Sequence, residues 1–207
     1  MDDRHDMRQF VLFAFVLMVP CFALWTLFMG PLAMPVVGLS NMLLSAWFPD
    51  VVEYLAMDGA DALLVTRFGE ANGMAVPLAQ ADYQLAFKLN PGVLSYSLPF
   101  YAALHFATRK DGYLQDFITG VVLLYPFFLL GMISLCLKEL MTQLGELFMA
   151  QSAVFVPNGN FIALFYQLNV LIVPTVAPAL IWAWQSRDTA LLRGMLRLLS
   201  PAPAKER

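Results

Sequence analysis

Charge is scarce in this chain of 207 residues: Asp, Glu, Lys and Arg make up only 13% of it, where a soluble domain carries about 25%. With 60% hydrophobic residues and a mean hydropathy of +0.68, that shortage places the chain among membrane proteins. Basic residues are scarcer than acidic ones, 12 against 15, so no basic surface offers itself to a nucleic acid, and no nucleic-acid partner is expected. Cysteine is nearly missing. Cys21 and Cys136 fall inside or at the edge of apolar runs and form no CxxC pair. That excludes a disulfide framework or a cysteine-based metal site, and both residues read as core packing. GxSxG, HExxH, P-loop and dinucleotide-binding patterns are all missing, so no cofactor is expected.

Long apolar runs fill the space. Residues 10–29 are free of charge and long enough to cross a bilayer. With no A-x-A cleavage site after them, they read as an uncleaved signal anchor, bent at Pro20. Gly30-Pro31 and Pro35 interrupt the run. Residues 36–48 are therefore expected as a separate interfacial helix, ending at Trp47-Phe48-Pro49 with Trp47 in the aromatic belt. Further spans are expected at 91–108, 113–137 and 161–184.

Loop charge sets the orientation. With one crossing before Pro49, Arg4, Arg8, Arg109, Lys110, Arg187, Arg193, Arg197, Lys205 and Arg207 share one side, and Arg67, Lys88 and Lys138 the other. Nine against three puts both termini in the cytoplasm.

Residues 50–90 are the one soluble-looking region, made acidic by Asp50, Glu53, Asp58, Asp61, Glu70 and Asp82. Residues 62–68 and 83–89 read as strands. The second alternates Tyr83, Leu85, Phe87 and Leu89 with Gln84, Ala86 and Lys88. Asn72-Gly73 and Pro77 supply turn chemistry between them, giving a β-hairpin over 62–89, with a third short strand near 52–57. Two amphipathic stretches complete the pattern: 138–149 on the outer surface, and 188–199 on the cytoplasmic leaflet, where anionic lipids attract Arg193 and Arg197. The expectation is one membrane domain over 1–207, mostly α, with about four transmembrane helices, a small extracytoplasmic β-hairpin and amphipathic interfacial helices.

One stretch carries polar residues at helical spacing inside an apolar segment. Ser97, Tyr101, His105 and Arg109 follow each other at four-residue intervals and share a helix face. Such a face must meet protein, water or headgroups, because lipid offers no hydrogen bonds. Read as chemistry, His105 transfers protons and Arg109 holds a carboxylate or phosphate. Read as structure, the face joins helices, Arg109 snorkels to the headgroups and Asp116 stands near it. Tyr166, Gln167 and Asn169, followed by Pro174 and Pro178, form a second polar set, suited to intramembrane packing or to lining a path. A Cys136–His105 dyad is excluded, because the two residues lie near opposite faces of the membrane.

Taken together, several pieces resemble the exosortase H-associated membrane proteins of Gram-negative bacteria. These are Trp47-Phe48-Pro49 followed by Val52-Glu53; Asn90-Pro91 with Ser95-Tyr96 and Leu98-Pro99; and Tyr166-Gln167 followed by Pro174, Pro178 and Trp182. Their order and the single hairpin loop after the first helix are also similar, over residues 10–184. The resemblance implies an inner-membrane protein acting beside an exosortase, a transpeptidase-like membrane enzyme that processes proteins bearing a C-terminal sorting helix. The Cys, Arg and His set of exosortases has no match here, so no catalytic residue is carried over. The expected function is a non-catalytic accessory subunit of envelope protein sorting, with membrane lipids and the exosortase or its substrate as partners. The alternative is a membrane-embedded enzyme acting on a lipid-linked or sorting-signal substrate through Ser97, Tyr101, His105 and Arg109.

Overall fold

A computed structural model describes residues 3–108 and 112–199, with side chains from 7 to 195 within those limits. The chain opens with α1 (Asp3–Trp47), continues through β1 (Val52–Asp58), β2 (Asp61–Ala71), β3 (Met74–Pro77) and β4 (Tyr83–Leu89), and then becomes helical again. The later helices are α2 (Gly92–Ser95), α3 (Ser97–Ala107), α4 (Tyr113–Leu144), α5 (Glu146–Met149), α6 (Gly159–Tyr166), α7 (Val173–Ser186) and α8 (Ala190–Leu199). A π-turn, Gln167–Ile172, joins α6 to α7.

Helix α1 corrects the first expectation. Residues 10–29 and 36–47 lie in one continuous helix of 45 residues, Asp3–Trp47, containing Pro20, Pro31 and Pro35. Proline ends a helix in water because water takes over the freed carbonyls. Here packing holds the stretch around Pro31 and Pro35, with Ala33, Val36 and Val37 buried in the core, so the helix runs through them. Pro31 and Pro35 are also four apart, so their missing bonds fall on one face.

The segment 91–108 corrects the second. It forms two short helices, α2 and α3, meeting at Tyr96. Eleven residues of α3 reach only about 16 Å, too little for a crossing. Three helical stretches are long and apolar enough to span a membrane, Met7–Trp47, Tyr113–Leu144 and Gly159–Ser186, rather than the four expected. The α2–α3 segment packs among them instead. Its polar residues are turned inward, and Ser97, Tyr101 and His105 are all buried. Because Gly92 lies against Met29 and Ala107 clusters with Phe10 and Ala14, α2–α3 runs antiparallel to the first half of α1.

The loop region corrects the third. The hairpin expected at 62–89 is part of a four-stranded antiparallel sheet. Strand β2 is its centre: β1 pairs with its first half and β3 with its second, and β4 pairs along both. Since β4 shares partners with both β1 and β3, it must occupy the opposite side of β2. The strand near 52–57 is present as β1.

These elements make two halves. In the bundle half, α2–α3 and α7 pack with the starts of α1 and α4. In the sheet half, the second part of α1 buries Ala33, Val36, Val37 and Leu44 in one core with Leu55, Leu64, Cys136, Leu140 and Phe148. Asn41 Oδ1 accepts the Leu55 N–H at 2.7 Å, joining β1 to α1. The outer helix expected at 138–149 continues α4 to Leu144, stops at Gly145 with φ +53° and ψ −123°, and resumes as α5. The fourth expected span, 161–184, lies within α6, the π-turn and α7. The expected helix over 188–199 appears as α8, whose Leu191 and Met195 pack near Phe10.

Candidate functional site: a polar network sealed in the bundle

The four-residue spacing on α3 does what a helix requires, placing Ser97, Tyr101 and His105 on one face. Tyr101 and His105 have no solvent exposure at all, and Ser97 has 5%. What admits the Tyr101 ring is Gly120 on α4. A Cβ there would come within 2.0 Å of the phenol oxygen and 2.2 Å of the ring. Gly131, three turns further on, similarly makes room for Leu94.

The Tyr101 hydroxyl is the hub. It lies 2.6 Å from Gln185 Oε1, 3.1 Å from the Asp116 carbonyl and 3.2 Å from His105 Nδ1. His105 Nε2 faces the Tyr113 carbonyl at 2.9 Å. A carbonyl only accepts, so Nε2 carries a proton; the single proton of the Tyr101 hydroxyl is shared among Gln185 Oε1, the Asp116 carbonyl and His105 Nδ1. Gln185 Nε2 also donates to the Asp116 carbonyl, at 2.8 Å. Thr108 continues the network below, taking the Trp182 indole N–H at 2.7 Å, while the Tyr113 hydroxyl donates to the Thr108 carbonyl at 2.7 Å. Phe106 and Phe117 close over the His105 ring, with centroids 5.3 and 5.5 Å away.

Two members of the expected face behave differently. Ser97 turns back to the Leu94 carbonyl at 3.0 Å and takes no part in the Tyr101 network. Arg109 lies outside the described residues. The second polar set is not brought together. Asn169 is buried and bonds the Phe165 carbonyl at 2.9 Å, Gln167 is exposed, and Tyr166 lies under the Lys138 ammonium, 5.9 Å from its ring centre.

Gln185, Thr108 and Trp182 are the members that spacing on α3 could not reveal, because they come from the loop end of α3 and from α7. One sequence signal was available for Gln185: it is the last amide before the basic residues that follow from Arg187.

Chemically, the network holds and can pass a proton between Tyr101 and His105, but it is enclosed. A void of about 10 Å³, room for about one water, touches Ser97 and Asn169. A larger apolar groove of about 350 Å³ lies between α1, α3 and α4, beside Cys21 and Trp25. Neither is lined by Tyr101 or His105. Among the described residues, no group of three His, Cys, Asp or Glu side chains is placed to hold a metal.

Three long apolar helices around a buried polar seam, carrying a small open sheet, define a multi-pass membrane protein. The family model described as "Exosortase H-associated membrane protein" matches residues 4–189, and the chain belongs to that family. No curated protein and no solved structure matches it.

Proposed function

We propose that the protein is a non-catalytic accessory subunit of an exosortase-type protein-sorting system in the bacterial inner membrane. The family match over residues 4–189 carries this reading. The enclosure of the Tyr101–His105 network supports the non-catalytic part, because a group that transfers protons to a substrate needs a path to it.

Orientation follows the distribution of charge. Arg8, Arg187 and Arg193 belong to elements gathered at the end of the bundle where Phe10, Trp182 and α8 meet, and that end is cytoplasmic by the positive-inside rule. The sheet half then faces the periplasm. Its acidic residues (Asp50, Glu53, Asp58, Asp61, Glu70 and Asp82), opposed by Arg67 and Lys88, form the surface presented to the enzyme or to the protein it sorts. Strand β4 pairs with β2 alone among the described strands, leaving an edge that another chain can join. The spans themselves offer a packing face. The charge-free part of α1 exposes Leu12, Phe15, Val19 and Leu27, each more than half uncovered.

The test is complementation in cells lacking the protein, with sorting of an exosortase substrate measured per copy of the variant. His105→Ala is expected to keep sorting per molecule near the wild-type level, even where abundance falls. Loss of sorting at normal abundance would make the Tyr101–His105 network catalytic and end the accessory reading.

A further inference from the structure

At the junction of the two halves, a cleft of about 530 Å³ opens between the end of β4 with α2 on one wall and α4 with the π-turn on the other. Its depth in the membrane follows from the spacing of charged residues. Asp116 and Lys138 are 22 residues apart on α4, about 33 Å at 1.5 Å per residue. That matches a hydrocarbon core of roughly 30 Å, and the Lys138 ammonium over the Tyr166 ring puts Tyr166 at the same level. Lys138, Glu139 and Tyr166 therefore stand at the edge of the hydrocarbon, and Val170 and Leu171 about one turn inside it. Leu171 is 64% exposed, so the cleft opens sideways to lipid.

The lining changes character along the same axis. Val93, Leu135, Val170 and Leu171 make the deeper part apolar, and Lys88 and Glu139 place opposite charges on opposite walls. Each charge is balanced on its own side: Lys88 by Asp61 at 2.9 Å, Glu139 by Lys138 at 3.0 Å. The hydrogen bond to Asp61 raises the Lys88 ammonium above its ordinary value, so it stays charged at neutral pH. These four groups sum to zero, which favours neither a net anion nor a net cation. Bonding capacity remains on both walls. An ammonium has three donors and a carboxylate about four acceptor positions; Lys138 and Gln143 each donate to one oxygen of Glu139. A ligand that fits has an anionic group for Lys88, a cationic N–H donor for Glu139 and an apolar tail for the Leu171 side. The wide π-turn, a feature common at functional sites, contributes the apolar wall.

We propose that this cleft binds the headgroup and upper chain of a zwitterionic phospholipid with a primary amine, the phosphoethanolamine class, with phosphate toward Lys88 and ammonium toward Glu139. The full chain, purified in mild detergent and stripped of lipid, would be titrated by native mass spectrometry with phosphatidylethanolamine, phosphatidylcholine and phosphatidylglycerol of identical acyl chains. Phosphatidylethanolamine is expected to bind about tenfold tighter than either, since choline has no N–H for Glu139 and a net anion finds no net positive charge. Glu139→Gln is expected to reduce the ethanolamine lipid to the level of the choline lipid. Lys88→Ala, at an exposed side chain, should weaken phosphatidylethanolamine binding, and Val93→Trp should fill the deeper part and weaken all three. Equal binding of the three lipids by the wild-type protein, or a preference for phosphatidylglycerol, would overturn the proposal, as would undiminished binding by Val93→Trp. The wild-type series decides the matter even if a variant fails to fold.

Discussion

The bundle half and the sheet half handle polar groups in opposite ways. In the bundle, Tyr101, His105, Thr108 and Asn169 are buried and the large apolar side chains are outside: Leu12, Phe15, Leu27, Leu114 and Leu180 are each more than half exposed. In the sheet half, Leu55, Leu64, Phe48 and Phe148 are buried, while Lys88 and Glu53 face outward. The difference follows from the solvent. Lipid offers no hydrogen bonds, so polar groups in the bundle turn to protein: Tyr101, His105 and Thr108 join through Gln185, Tyr113 and Trp182, and Asn169 bonds back to the Phe165 carbonyl of its own helix. Water supplies those partners to the sheet, which is held by apolar burial instead. Substitutions of similar size should therefore fail for different reasons in the two halves.

Tyr101→Ala is expected to have the largest effect. It removes a fully buried aromatic ring, worth about 3–5 kcal/mol, and leaves Gln185 and His105 without their shared partner. Loss of the folded protein in detergent, followed by thermal scanning, checks this. Gly120→Ala should come next, at about 1–3 kcal/mol, because its Cβ would run into the Tyr101 phenol on a backbone that cannot easily retreat. Pairing Gly120→Ala with Tyr101→Leu, which removes the hydroxyl and the ring carbons that the new Cβ would meet, should cost less than the sum of the two single losses. Independent, additive losses would show that the two residues do not meet. Asn41→Ala acts in the other half, removing the acceptor of the Leu55 N–H. Its cost is expected near 1 kcal/mol, seen as faster hydrogen exchange in β1 and β2, with the Tyr101 region unchanged. Lys88→Ala is smallest, within about 0.5 kcal/mol, because its pair with Asp61 is solvent-exposed.

How much of this was legible in the sequence also divides between the halves. The apolar runs ending near Leu137 and Trp184 were plain, and the alternation from Tyr83 to Leu89 marked β4 directly. The polar spacing on α3 was legible too, because Ser97, Tyr101 and His105 repeat at the helical interval. What misled was punctuation. Gly30-Pro31 and Pro35 signal a helix end in water, yet in α1 they leave the helix whole. The run at 91–108 matches a span in composition. Only packing shows it to be two short helices whose polar face is turned inward. Strand β1, Val52–Asp58, was legible as a short strand near 52–57 although it lacks the alternation that marks β4. Gln185 and Trp182 reach the network from far along the chain, and periodicity within α3 carries no information about them. The glycines at 120 and 131 gave no local sign of their purpose, which lies in the rings and methyls of other helices.

The accessory role is tested most directly by isolating the tagged protein from its native membrane in mild detergent and identifying what accompanies it by mass spectrometry. An accessory subunit is expected to bring an exosortase, or a protein bearing its sorting helix, in near-stoichiometric amount. Recovery of the chain alone, at normal abundance and fully folded, would contradict it.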